Sequence, residues 1–411
     1  MQKNILDDLK SRGVLNNISS EEKFNNISLG TGVYTGFDPT AKSLHLGNYL
    51  QILSLLRFKK AGYKPIAILG GITGMIGDPS FRNSERKFLD QETLLQNKNA
   101  IKNQLQKFGL EVIDNLDFYK HWTVVDFLRN IGKLINVNYL LEKDSITTRL
   151  ANGLTFTEFS YTLLQGWDFK CLYENHNVKI QMGGSDQWGN ITTGLEIIRK
   201  LHGESADAVA MTFNLLVDEN GKKFGKSTGG GSLWLDPNMT SPYSIYQFLL
   251  NQSDVKIEEY LKWLTFLEVE EINEIMTQHN ENKTKRIAQK KLAFELVKDI
   301  HGVDIANKCI RISEILFNKS NEELNIEDIS MLLGYLPCIE VKEGEKFIEI
   351  LKNNQIVSSN REAREFISKN TFLIDNNIIN DENYSITFNK FDGQYALLKK
   401  GKKDFYILKR I

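Results

Sequence analysis

Phe37-Asp38-Pro39-Thr40-Ala41-Lys42-Ser43-Leu44-His45-Leu46-Gly47-Asn48 is the stretch from which the rest of the chain can be read. A strand-like run, Val33-Tyr34-Thr35-Gly36, precedes it, and an apolar-periodic segment (Leu46, Leu50, Leu53, Leu56) follows. Strand, tight loop and helix in that order point free backbone N–H groups at an anion. Pro39 sets the turn, Ser43 is the candidate N-cap, and Gly47 lets a bulky ligand lie against the backbone. His45, expected in the first helical turn, adds a side-chain donor, so the loop reads as a polyphosphate cradle. Alone, a His beside a Gly at a helix start is as readily a solvated cap.

Its partner lies far downstream: Lys222-Lys223-Phe224-Gly225-Lys226-Ser227, then Thr228-Gly229-Gly230-Gly231-Ser232. Two lysines flanking a small hinge on a glycine-rich loop suit a cationic flap. Asp218-Glu219-Asn220-Gly221 just before it is a hairpin turn, so an exposed basic hairpin is the simpler reading of that run by itself. Taken together, in this order and at this separation, the two stretches resemble the paired signature motifs of the class I aminoacyl-tRNA synthetases, written HIGH and KMSKS. Asn48 departs from the second histidine, keeping a donor without a titratable group, and Phe224-Gly225 stands in place of Met-Ser.

At 411 residues the chain is too long for one compact core, and two or three domains are expected. The apolar share of 41% and charged share of 25% are those of an ordinary soluble globular protein. A net charge of −1 argues against a protein coated in positive charge but leaves room for a local basic patch. Cys171, Cys309 and Cys338 show no paired spacing, which argues against disulfides and structural zinc. The histidines lack ligand spacing as well, so no protein-bound metal is expected. With no signal-like start and no run long enough to span a bilayer, a reducing cytoplasm fits best.

From Tyr34 to about Pro237, strand-like runs (Lys64–Leu69, Val112-Ile113, Val178–Met182) alternate with helical ones such as 91–108. That alternation indicates a doubly wound α/β fold with a parallel, Rossmann-like sheet. Ligands bind at the carboxyl ends of such strands, where Gly36, Gly70-Gly71 and Gly183-Gly184 fall. From Ser241 to about Phe317 only helical periodicity is visible, which reads as a separate all-helical domain. A polar connector follows, and then a small α+β domain. The expected divisions are 1–238 catalytic, 239–320 helical, 321–350 linker and 351–411 RNA-binding.

In the last segment Ser359 and Glu362 form a capping box, Arg361 and Arg364 share a helix face, and short strands follow at 372–374, 384–388 and 396–399. Lys399, Lys400, Lys402 and Lys403 open a basic tail. Paired arginines plus that tail suit phosphate tracking, against the simpler reading of a solvated small domain. The segment resembles the small RNA-binding domain that ends bacterial tyrosyl-tRNA synthetases.

The helix expected from Thr155 to Asn175 carries two stripes. Phe156, Phe159, Leu163 and Trp167 make the core stripe; Tyr161, Gln165 and Asp168 make a polar one. A polar stripe on so apolar a helix is either exposed or lines a pocket. Tyr161 is costly to leave in water, and Gln181 with Gly183-Gly184-Ser185-Asp186-Gln187-Trp188-Gly189-Asn190 follows closely, which favours the pocket. Tyr34-x-Gly36-x-Asp38, the Tyr161/Gln165/Asp168 stripe and Gly184-Ser185-Asp186-Gln187-Trp188 are similar to bacterial tyrosyl-tRNA synthetases, over essentially the whole chain. The resemblance implies that Tyr34 and Asp168 bond the phenol of L-tyrosine. It implies that Tyr161 and Gln165 hold the ammonium group, with Asp78 and Gln187 nearby. Gly36, Asp38, Thr40, Gly47, Asn48, Gly184, Asp186, Lys226 and Ser227 would then contact ATP. The family also implies tRNA(Tyr) as partner and a homodimer.

The first chemical step expected is attack of the tyrosine carboxylate on the α-phosphorus of ATP. A carboxylate is already ionised at neutral pH, so no general base is needed. His45, Thr40, Lys223 and Lys226 are the candidates for stabilising charge on the phosphates, with Arg82 and Arg86 for the leaving pyrophosphate. Magnesium would enter with ATP. A tryptophanyl synthetase, a non-catalytic RNA-binding protein on this scaffold and a simple nucleotide-binding protein are the competing readings.

Overall fold

The computed structural model describes residues 4–78, 80, 89–150, 153–225, 231–317 and 322–411. They form two compact units, one of residues 1–235 with 253–288 and the other of residues 236–252 with 289–411.

The first unit is built on a six-stranded sheet: β1 (Leu15–Ile18), β2 (Gly32–Phe37), β3 (Lys64–Leu69), β4 (Glu111–Asp114), β5 (Val178–Gly184) and β6 (Val209–Phe213), in the order β1-β6-β5-β2-β3-β4. All neighbours pair in parallel except β1, which runs antiparallel along β6. β2 and β3 read as almost unbroken buried runs because helices cover both sheet faces. From β2 the chain winds outward to β3 and β4; from β5 it winds the other way to β6. The crevice at the carboxyl ends of β2 and β5 is therefore the topological switch point where such sheets bind ligands.

Two helices shape that crevice. Phe156–His176 begins at Thr155, whose Oγ1 accepts from the Glu158 N–H while Glu158 accepts from the Thr155 N–H, a reciprocal cap. It ends at Asn177 in the left-handed conformation. It packs on Trp188–His202 at a point where Gly166 meets Gly194: a Cβ on Gly166 would lie 3.2 Å from the Gly194 nitrogen. Phe156, expected in the core stripe, is 68% exposed; Leu163 and Trp167 are buried as expected, and Phe159 packs partly buried against them.

The helices Pro242–Leu250, Ile257–Leu264, Val269–Glu281, Ile287–His301 and Val303–Leu316 match the expected helical stretch. They do not make a unit of their own, since residues 253–288 belong to the first unit and the rest to the second. The second unit also contains a five-stranded sheet, β7 (Cys338–Val341), β8 (Phe372–Ile374), β9 (Asn377–Ile378), β10 (Tyr395–Lys400) and β11 (Asp404–Arg410), ordered β7-β11-β10-β8-β9. The expected linker 321–350 thus contains a helix, Ile326–Leu332, and the edge strand β7. Tyr384–Phe388 is not a strand: among the described residues it forms the isolated bridge of Lys346 to Ser385, with backbone hydrogen bonds to 344–347, and Ile386 and Phe388 join the core. Ser359 caps the Asn360–Ser368 helix, but Glu362 accepts from Ser358 rather than from the Ser359 N–H.

Candidate active site

β2 delivers the loop from Asp38 to Asn48 to the crevice. Ser43 is not the helix cap; its hydroxyl donates to the Leu44 carbonyl (2.8 Å) and meets Gln104. His45 stands ahead of the helix in extended conformation, and its N–H donates to Asn48 Oδ1 (3.1 Å) across the Leu46–Asn48 turn that opens the Tyr49–Lys60 helix. The side chain that departs from the family motif therefore caps the turn, a task for an amide oxygen. A Cβ on Gly47 would sit 3.0 Å from the His45 ring, so Gly47 makes room for that imidazole. Helix Gln91–Lys107 holds the loop from behind: Asn97 donates to the Pro39 carbonyl (3.1 Å) and Gln104 accepts from the Leu44 N–H (2.8 Å). Burial, and then the charge of Lys223, hold the His45 pKa below the ordinary imidazole value. At neutral pH His45 is a neutral hydrogen-bonding group.

The loop forms one wall of a cleft of about 400 Å³ that also takes in Tyr34, Gly36, Thr40, Asp78, Tyr161, Gln165, Asp168, Gly184, Asp186, Gln187 and Lys223. At its closed end lie Tyr34 and Asp168, both almost fully buried. Asp168 accepts from Tyr119 Oη (2.8 Å) and from Asn115 Nδ2 (2.9 Å). Burial nevertheless dominates those two bonds and raises its pKa to about 8. The Tyr34 hydroxyl has no partner among the described residues, and burial followed by Asp168 pushes its pKa well above the usual phenol value. A buried hydroxyl without a partner is costly unless a ligand completes it.

The middle of the cleft is a polar collar. Tyr161 Oη donates to Asp38 Oδ2 (3.2 Å), and Thr73 Oγ1 donates to Asp38 Oδ1 (3.0 Å). Asp38 fits only because position 70 is glycine, where a Cβ would lie 2.2 Å from Asp38 Oδ1. Gln187 Nε2 donates to Asp78 (2.7 Å). Gln165 and Gln181 each present a buried amide oxygen with no partner among the described residues. Burial, with Asp78 adding to it, raises the Asp186 pKa, and Lys223 opposes the rise. Gly36 faces open space, with nothing within 4 Å of the Cβ it lacks.

The expected residues thus converge on one cleft, with Lys226, Ser227, Arg82 and Arg86 lying outside the described residues. The sequence reading missed Asn115, Thr73 and Tyr119: Asn115 Nδ2 also meets Thr73 Oγ1 (3.1 Å), so Asn115 and Thr73 link Asp168 to Asp38, while Tyr119 braces Asp168 against the Leu164 carbonyl. Asn115 follows directly on the carboxyl end of β4, a signal that could have found it; Tyr119 offered none. In the second unit the basic candidates do not share one face. The expected tail is the hairpin β10–β11 with Lys402 and Lys403 at its turn. Lys400 reaches the Ile356 carbonyl (2.6 Å) and the Phe366 ring, while its neighbour Lys399 lies over Phe405 on the other side of the strand. Arg361 is exposed, and Arg364 pairs with Glu382 (3.3 Å).

Residues 30–318 match the family model described as tRNA synthetases class I (W and Y), and residues 328–408 match the tyrosine–tRNA ligase SYY-like C-terminal domain. The chain is 52% identical to the tyrosine–tRNA ligase of Mycoplasmopsis synoviae, over 98% of this chain and 99% of that protein. It is 48% identical to the tyrosine–tRNA ligase of Ureaplasma urealyticum, over 98% of each. Among solved structures, a C-terminally truncated mitochondrial tyrosyl-tRNA synthetase of Aspergillus nidulans superposes with a TM-score of 0.70 at 29% identity, covering 77% of this chain and 95% of that one.

Proposed function

The chain belongs to the class I tRNA synthetases of the tryptophan and tyrosine group, and from its site we infer that it is a tyrosine–tRNA ligase. It activates L-tyrosine with ATP, releasing pyrophosphate, and transfers the tyrosyl group from the adenylate to the terminal ribose of tRNA(Tyr). The observation that carries this reading is the unpartnered Tyr34 hydroxyl beside the buried Asp168 carboxyl, in the cleft that also holds His45 and Lys223. A phenol O–H between Tyr34 and Asp168 completes the Tyr34 hydroxyl and adds a donor to Asp168, which an indole or a bare benzyl group does not do for both. Rejection of phenylalanine by tyrosyl-tRNA synthetases is the standing example of hydroxyl-based specificity.

With the phenol at the closed end, the ammonium group meets Tyr161 and Gln165, with Asp78 and Gln187 behind them. The carboxylate then faces the loop of Asp38, Thr40, Gly47 and Asn48. ATP lies between that loop and Gly36, Gly184 and Asp186. The reacting carboxylate needs no base, so the protein contributes position and charge: His45 as a neutral donor, Thr40 as a hydroxyl, Lys223 and Lys226 as cations. Arg82 and Arg86 are the candidates for the leaving pyrophosphate, and Ser227 for ATP. Magnesium arrives with ATP as part of the substrate.

The second unit supplies contacts to tRNA, for which Arg361, Arg364, Lys399, Lys400, Lys402 and Lys403 are the candidates. The active form is a homodimer. What supports this is the number of large apolar side chains that the segment 124–156 leaves exposed: Val124, Val125, Leu128, Val137, Leu150 and Phe156. The protein works in the cytoplasm; no helix among the described residues is long and apolar enough to cross a membrane. Tyrosine-dependent ATP–pyrophosphate exchange, with tryptophan as the control amino acid, tests the reading. No exchange with tyrosine, or equal exchange with tryptophan, overturns it.

A further inference from the structure

Part of the frame that holds the phosphate end of the cleft lies outside it. Helix Tyr49–Lys60 starts at the Gly47-Asn48 turn and carries Arg57, almost fully buried, at its far end. Arg57 Nη2 donates to the carbonyls of Lys262 (2.9 Å) and Thr265 (2.6 Å). These lie at the carboxyl end of helix Ile257–Leu264, where carbonyls have no partner within the helix. Arg12 donates to the same Lys262 carbonyl (3.2 Å). The helix so held presents Tyr260, which is 1% exposed.

Tyr260 grips both arms of the hairpin that bears Lys223. Its hydroxyl donates to the Val217 carbonyl (3.0 Å), and its ring lies 4.6 Å from that of Phe224. Val217 and Lys223 are bridge partners, and the Phe224 N–H donates to the Leu216 carbonyl (3.2 Å). Lys223 therefore sits between the two points that Tyr260 holds. Beyond it, Gly225 turns at φ +84° and packs on the His45 loop, where a Cβ would lie 3.3 Å from the Gly47 nitrogen. The Leu233 N–H donates to Gly225 O (2.8 Å), and the Leu46 N–H donates to Leu233 O (2.7 Å). The contacts make a closed circuit: the His45 turn, helix Tyr49–Lys60, Arg57, helix Ile257–Leu264, Tyr260, the Lys223 hairpin, and back to Gly47.

We propose that Tyr260 is a positioning residue for adenylate formation, which through Val217 and Phe224 fixes Lys223 opposite His45 at the phosphates of ATP. This rests on the reading of the cleft as the ATP site. Tyr260 does not line the cleft, yet a shift of its two grips moves Lys223 and leaves the phenol end alone, because Tyr34 and Asp168 are held by other elements. Misplacement of a charged group by an ångström is enough to slow a reaction that depends on position.

The test is a double-mutant cycle of Tyr260→Leu and Lys223→Ala in tyrosine-dependent pyrophosphate exchange with the full-length protein. Tyr260→Leu should lower kcat about tenfold with the tyrosine Kd unchanged, and should have no further effect in the Lys223→Ala background. Tyr260→Phe keeps the ring contact and should lose only about two- to threefold, again only when Lys223 is present. If Tyr260→Leu does not fold, the Tyr260→Phe cycle decides alone. Losses that multiply in the double variant, or a tyrosine Kd that weakens in step with kcat, overturn the proposal. If the unaltered protein shows no exchange, the proposal falls together with the functional reading; if it exchanges and the cycle is multiplicative, only the proposal falls.

Discussion

Asp168→Asn separates what the carboxyl does for the fold from what it does for the ligand. The free protein buries this group with a pKa of about 8. An unfolded chain loses the proton near pH 4, so between those values the native form holds a proton that the unfolded form has released. Stability must therefore fall as pH rises through this window. For a folded pKa near 8 the loss between pH 6 and pH 8 is about 2 kcal/mol from this one group. Asparagine carries no proton to lose and can be accommodated. Its amide can donate to Tyr119 Oη, which keeps its own bond to the Leu164 carbonyl (2.9 Å), while its oxygen accepts from Asn115. The variant should thus gain about 2 kcal/mol on the unaltered protein between pH 6 and pH 8. Urea unfolding followed by tryptophan fluorescence reads this unit selectively, because Trp122, Trp167, Trp188, Trp234 and Trp263 all lie in the first unit. Tyrosine affinity should fall about 2- to 13-fold, the loss of one neutral hydrogen bond of about 0.5–1.5 kcal/mol. A stability difference that stays constant from pH 6 to pH 8 would refute the argument, since the carboxyl would then ionise in its ordinary range.

His45→Ala should cut the rate of adenylate formation about 10²–10³-fold with tyrosine binding little changed, as pre-steady-state fluorescence with the two substrates varied separately would show. Because His45 is already neutral, the pH–rate profiles of the two proteins should run parallel from pH 7 to pH 9. Tyr34→Phe removes a hydroxyl that is unsatisfied in the free protein, so the melting temperature should hold or rise while tyrosine binds more weakly and phenylalanine competes better. Charge reversal at Arg361 and Lys403 should weaken tRNA charging and flatten its salt dependence, leaving pyrophosphate exchange intact. Val124→Asp should shift the protein toward monomer in sedimentation, an outcome that a solvated Val124 would not give.

The parts of the fold that were legible were those whose physics is local. β3 was readable to the residue because a strand buried on both faces leaves an unbroken apolar run. β1, Leu15-Asn16-Asn17-Ile18, pairs on one side only and carries no such run, so nothing in its sequence marked it. The same holds for β7, an edge strand embedded in what reads as a polar connector. The site followed a similar rule. Tyr161, Gln165 and Asp168 were found because one helix displays them at helical spacing, and Gly183-Gly184 because a glycine pair ends a strand. Thr73 lines the cleft and Tyr119 acts on it through its bond to Asp168, and neither stands in a pattern. The helical stretch 241–317 looked like one domain because periodicity reports helices, while their division between two units depends on contacts that periodicity does not encode.

The electrostatics of the cleft divide the work in the same way as its geometry. Asp38, Asp78, Asp168 and Asp186 all face it, against Lys223 among the described lysines and arginines and a neutral His45. Carboxyls in that number suit the ammonium and phenol of an amino acid, but they oppose a polyphosphate. The two tendencies are reconciled by distance and by protonation. Asp168 sits at the closed end, where burial keeps it largely protonated, and burial raises Asp186 as well. Lys223 stands by the His45 loop, at the mouth that the triphosphate occupies in this reading. In this reading, what acid remains ionised is offset by the incoming ammonium group of the amino acid. The free protein therefore carries an acidic pocket that its own substrates neutralise, and the cost of that pocket before they bind is the raised pKa at Asp168.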